Sequence, residues 1–175
     1  MRRTLLFLVL FACSAAWAGA QHGSPDAAKR LEMLAENRTT IEILLDRGLD
    51  LAGTSDYVER VDESRKAADA LRQALADAAD TQDPDRVVEL GEHLSKLFSD
   101  GLVPTLNAAA KNIPEWSPSF DRLKAARRQA AREADSATAL DLHAGRLAAS
   151  GRVKDVSQQL VEAAGKVKAA AEPKK

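Results

Sequence analysis

Thiols, aromatic rings and charge of one sign are all scarce in this sequence, and each scarcity removes a class of function. The only cysteine among 175 residues is Cys13. It lies in a segment read below as a leader, so cleavage leaves no thiol nucleophile, no disulfide and no thiolate metal site. Aromatic residues make up 4% of the chain against 45% apolar residues overall. A core built largely from Ala, Leu and Val suits closely packed helices and not a sheet, which needs β-branched and aromatic faces. Lys and Arg number 25 and Asp and Glu 26, so no bulk attraction draws the chain to nucleic acid. Also missing are a Gly-rich phosphate loop, a nucleophile elbow and a helix-turn-helix with a basic reading face. With no catalytic constellation, the sequence points to a protein that is not an enzyme.

What is present begins with a leader. Arg2 and Arg3 precede the apolar run Leu5-Leu6-Phe7-Leu8-Val9-Leu10-Phe11-Ala12, followed by small residues with A-x-A sites at Ala16-Trp17-Ala18 and Ala18-Gly19-Ala20. This is the three-zone pattern of a signal peptide over residues 1–20, and its apolar run is too short for a permanent membrane span. Cleavage removes Arg2 and Arg3 and leaves 23 basic against 26 acidic residues, a net charge of −3. The expected location is periplasmic or extracellular. A competing reading takes Leu10-Phe11-Ala12-Cys13 as a lipobox, with Cys13 lipidated and the protein anchored to a membrane.

The rest of the chain reads as amphipathic helix after amphipathic helix. Ser24 and Pro25 cap and open the first, whose apolar positions Ala27, Leu31, Leu34, Ile41, Leu45 and Ala52, widened by Leu44 and Leu49, run to Gly53. A second starts at the capping-box pair Asp56 and Glu59. It carries Val58 or Tyr57, Val61, Ala68, Leu71, Leu75 and Ala78 to about residue 80. Asp83-Pro84-Asp85 opens a third, with Val87, Leu90, Leu94 and Leu97 or Phe98 on its seam and a kink expected where Pro104 follows Gly101. The loop Asn112-Ile113-Pro114-Glu115-Trp116-Ser117-Pro118 leads to a fourth helix expected from Pro118 to Ala149. After Ser150-Gly151, the positions Val153, Val156, Leu160, Ala163, Val167 and Ala170 form the most regular heptad in the chain, coiled-coil in character. Short loops between long helices predict an all-α, up-and-down antiparallel bundle: four helices over 21–150, a looser C-terminal fifth over 151–171, and a mobile tail over 172–175.

Several residues invite a chemical reading. Glu89 and His93, four apart on one helix, are a candidate metal pair, but no Glu stands three residues before either His93 or His143 as di-iron bundles require. Met33 and His143 are expected at one end of the bundle, and Met with His is a workable axial pair for haem iron. In these two positions the chain resembles the four-helix b-type cytochromes of the bacterial periplasm. That likeness implies a non-covalent haem b, since no Cys-x-x-Cys-His motif occurs. Lys124, Arg127, Arg128 and Arg132 form a basic stretch facing, in the chain's logic, the acidic Asp56, Glu59, Asp62 and Glu63. The stretch and the amphipathic helices also leave open association with anionic lipid. Trp116, held between prolines, reads either as a plug over the bundle end or, if exposed, as an anchor for a partner. The seam Val153, Val156, Leu160 and Val167 is the other candidate partner surface.

The stretches RVVELGEHLSKLFSDGLVPTL (86–106) and LAENRTTIEILLDRGLDLA (34–52) resemble uncharacterised exported helical proteins of bacteria. The resemblance implies location and fold and names no activity. Together these readings describe an exported helical bundle that binds another envelope protein or itself, as an accessory or scaffold.

Overall fold

The computed structural model describes the backbone of residues 27–172, with the side chains of Ala35 and of residues 37–172. The signal segment 1–20, Cys13, the Ser24-Pro25 helix start and most of the 172–175 tail lie outside the described residues. The chain divides between Arg38 and Thr39, and all packing described below belongs to the unit Thr39–Lys175.

Every regular element among the described residues is helical: α1 Ala27–Gly53, α2 Tyr57–Asp80, α3 Pro84–Lys96, a π-helical segment Leu97–Leu102, α4 Val103–Asn112, α5 Ser119–Thr138, a short 3-10 turn Leu147–Ala149 and α6 Gly151–Ala171. The helix starts follow from local chemistry. Asp56 accepts hydrogen bonds from the Val58 and Glu59 amides at 2.7 and 3.2 Å, and Asp83 does the same for Asp85 and Arg86 with Pro84 at the first helical position. Ser150 caps α6 through the Val153 amide.

Pro104 falls where the helical ladder changes geometry. It has no N–H to offer, and the ladder takes up the defect one turn earlier by widening to π geometry, where the Val103 amide reaches Phe98 O. The Thr105 hydroxyl donates to Gly101 O at 2.7 Å, satisfying a carbonyl within the irregular stretch. Thus α3, the π segment and α4 follow one another without a break, as the α3–α4 rod, with Phe98, Leu102 and Leu106 fully buried along it.

Four walls enclose the core. α2 packs on the α3–α4 rod and on α5, while α6 packs on α5 and on the rod. Contacts between the starts of α2 and α5 (Asp56 to Arg122) and again further along both (Arg72 to Glu133) show that these two run the same way. Two like contacts, Asp85 to Arg152 and Gly91 to Val156, do so for α3 and α6. Chain direction therefore alternates from helix to helix, and two of the packed neighbour pairs, α2 with α5 and α3 with α6, are parallel. Small residues contribute to the spacing: Ala126, Ala130, Ala134 and Ala137 give α5 a buried face of methyl groups, in one core with leucines such as Leu75, Leu94 and Leu160. Phe98 is the only fully buried aromatic among the described residues. Gly91 belongs to the same logic, because a Cβ there would run into Cγ1 of Val156.

Two elements differ from the sequence reading. α6, expected as a loosely held fifth helix, is a full wall: Val153, Val156, Leu160, Ala163, Ala164 and Val167 are all buried. α5 ends at Thr138, and residues 139–150 form a loop. The loop is seated on the α2–α3 turn, where Gln82, at φ 55, accepts the Arg146 amide at 2.8 Å and donates to Ala79 O at 3.0 Å. Gly145, at φ 56, lies against the Gln82 side chain where a Cβ would collide.

Candidate functional site

The most conspicuous surface feature is the turn between α4 and α5. α4 stops because Pro114 follows Ile113, whose extended backbone ends the ladder after its amide bonds Ala109 O at 3.0 Å. Asn112 folds its amide back to Ala108 O at 2.8 Å. Pro114 O then accepts the Ser117 amide at 2.9 Å and Ser117 O accepts the Phe120 amide at 2.9 Å, so two consecutive hydrogen-bonded turns span residues 114–120. The Ser117 hydroxyl further accepts the Ser119 amide at 3.2 Å. The backbone is pinned on both sides of Trp116, yet Trp116 is 86% exposed. The plug expectation is therefore corrected: the ring is presented outward on a stiff turn and does not fold over the bundle end.

The other partner candidate is corrected in the opposite sense. Val153, Val156, Leu160 and Val167 are between 0% and 2% exposed, turned into the core against α3 and α5. A partner cannot reach them while the bundle is closed. The heptad was legible, but its period says only that a face is buried, not whether its cover comes from the same chain.

The metal and haem candidates are placed as follows. Glu89 is half-buried and its Oε2 has no hydrogen-bond partner, whereas His93 is exposed one turn on. No group of three or more His, Cys, Asp or Glu side chains lies close enough to hold a metal among the described residues. His143 sits in the 139–150 loop and not on a helix; it is exposed, its amide donates to Asp141 at 3.1 Å, and its Nε2 lies 3.2 Å from the Ser157 hydroxyl. It thus ties the loop to α6. The side chain of Met33 lies outside the described residues.

The expected opposition of basic α5 and acidic α2 is realised only in part, through Asp56 of the expected acidic set and through residues outside both sets. Lys124 pairs with Asp121 on its own helix at 2.6 Å and lies 5.2 Å over the Phe120 ring. Glu63, nearly buried, is held by Lys66 at 2.6 Å and by Arg47 at 3.2 Å, and the Lys66 hydrogen bond, outweighing burial, keeps its carboxyl below the usual range. The true cross-links are Asp56 to Arg122 at 3.3 Å and a cluster the sequence reading missed, in which Arg72 bridges Asp69 at 2.6 Å and Glu133 at 2.9 Å. Burial, reinforced by the charge of Asp69, pushes the Glu133 carboxyl up against the pull of Arg72. Burial also opposes the charge on Asp69, but hydrogen bonds from Arg72, Glu133 and Gln73 win and hold it low. The pair therefore divides the labour, with Asp69 carrying the charge more readily than Glu133.

Sequence reasoning also misjudged α1. Ile41, Leu45 and Leu49, counted there as inward-facing, are 41%, 62% and 71% exposed, and among the described residues of that stripe only Leu44 packs against the core. The signal that could have found this is in the seam itself, where Arg38 and Gly48 occupy positions a buried stripe would fill with apolar side chains. No helix among the described residues is long and apolar enough to cross a membrane. No protein-family model, curated protein or solved structure matches the chain.

Proposed function

We propose that this chain is an exported, non-enzymatic bundle that binds another protein of the cell envelope, as an accessory or scaffold, with Trp116 as its anchor. One observation carries the reading: a tryptophan 86% exposed on a turn whose neighbouring backbone is fixed by hydrogen bonds. A large ring left in water forgoes burial it could have had, whereas a preset turn lets it enter a partner's pocket with little ordering cost. Tryptophan is also among the residues that dominate binding energy at interfaces. The leader at residues 1–20 supports the location, and the resemblance to exported helical proteins agrees with it.

The test has two parts. Intact mass of the protein isolated from its native envelope fraction is expected to show a chain beginning at Gly19 or Gln21. Co-purification in gentle detergent is expected to bring down a defined partner that Trp116→Ala loses while its helix content stays unchanged. A partner set identical for the wild type and Trp116→Ala ends the reading.

A further inference from the structure

The outward face of α1 offers a second surface, unconnected with Trp116. Thr40, Leu44, Arg47 and Leu51 are half-buried, and through Leu44, packed on the core, and Arg47, paired with Glu63, this side of the helix meets the bundle. On the outer side, Ile41, Leu45 and Leu49 stand four residues apart and so form one continuous ridge, 41%, 62% and 71% exposed. Beside this ridge runs the neighbouring row, in which Gly48 and the exposed Ala52 leave a notch; around Gly48 nothing lies within 4 Å of where a Cβ would stand. None of these five residues is charged.

A ridge of long aliphatic side chains beside a notch of the same pitch is its own complement. Rotating a second copy by a half-turn about an axis beside Leu45 lays each ridge in the other's notch, and Leu45 meets Leu45 of the second copy whichever way the two helices run. An unrelated partner would need this relief by coincidence, whereas a second copy of the chain carries it already. The area sets the strength. The three ridge residues expose roughly 350 Å² together, within the range of the largest apolar patch on a typical monomer, which is often functional. Doubled, this is well below the roughly 1,600 Å² of a standard stable interface. We propose that two copies of this chain pair through α1, ridge into notch about Leu45, as a weak dimer that forms as concentration rises.

Sedimentation equilibrium of the protein as isolated from cells is expected to show a monomer–dimer equilibrium with a Kd on the order of 10–100 μM. Leu45→Glu, at an exposed position, is expected to weaken it at least about tenfold without change in helix content. Gly48→Leu separates shape from stickiness: it adds apolar surface but fills the notch, and is expected to weaken pairing by a similar factor. Leu45→Cys is expected to oxidise to a covalent dimer while Gln158→Cys, on the exposed face of α6, does not. A monomer at every concentration, as when a membrane or another protein covers this face, overturns the proposal, and so does tighter association of Gly48→Leu.

Discussion

Replacing Gly91 with alanine sets two local effects against each other, and the fold decides which prevails. In an exposed helix the change gains about 1 kcal/mol from reduced backbone freedom in the unfolded chain. At this position the new methyl meets Cγ1 of Val156 and lies 3.8 Å from its Cβ. Val156 is 2% exposed and sits on α6, where a β-branched side chain has one strongly preferred rotamer, so its methyl cannot swing aside. Relief requires α3 and α6 to part, which loosens Val87 and Leu94 on one side and Val153 and Leu160 on the other. Overpacking of this kind costs about 1–3 kcal/mol and exceeds the propensity gain where the neighbour is rigid. We expect Gly91→Ala to destabilise by about 1–2 kcal/mol net, and Tm to fall by about 2–4 °C per kcal/mol. Urea and thermal unfolding followed by circular dichroism give the value. Val156→Ala removes the obstructing methyl, so the double variant is expected to be more stable than additivity predicts by about 1 kcal/mol or more. A stabilised Gly91→Ala, or a strictly additive pair, would refute the close approach of α3 and α6.

Three further outcomes are expected. Asp56→Ala, which leaves the Val58 and Glu59 amides without their acceptor, is expected to cost about 1–2 kcal/mol in urea unfolding. Asp56→Asn, which keeps the cap and loses only the exposed pair with Arg122, is expected to cost less than half of that. For Glu133, the raised folded pKa means the protonated form is favoured by folding, so its charge at neutral pH opposes stability and this opposition fades as pH falls through that pKa toward the ordinary value of 4.5. Glu133→Gln is accordingly expected to be at least as stable as wild type at neutral pH, with the advantage vanishing on acidification; an advantage that grows as pH falls would contradict the assignment. Trp116→Ala is expected to leave Tm unchanged within about 1 °C, since the ring makes little contact with the bundle.

Much of this fold could be read from the sequence because helix caps and seam residues are local signals. Asp56 and Asp83 mark their helices through the side chains that satisfy the first amides, and the rows on α2, α3 and α6 are buried as their spacing implies. What spacing cannot report is which cover a seam receives. α1 and α6 both carry apolar rows, and only the assembled bundle distinguishes the covered one from the exposed one. Periodicity likewise overran the end of α5, since Leu140 and Leu147 keep the helical pattern while lying in a loop held by Gln82. The Trp116 turn was legible as a turn from its two prolines, but the exposure of its ring depends on tertiary placement. The Arg72 bridge joins residues 61 apart in sequence, and no local rule pairs them.

The central claim, that Trp116 is a partner anchor, is tested most directly in living cells by placing a photoreactive amino acid at position 116 and, as a control, at the exposed Gln158. Irradiation is expected to give one discrete cross-linked species containing a second, different protein from position 116 and none from position 158. No cross-link at 116, or the same products from both positions, would contradict the account.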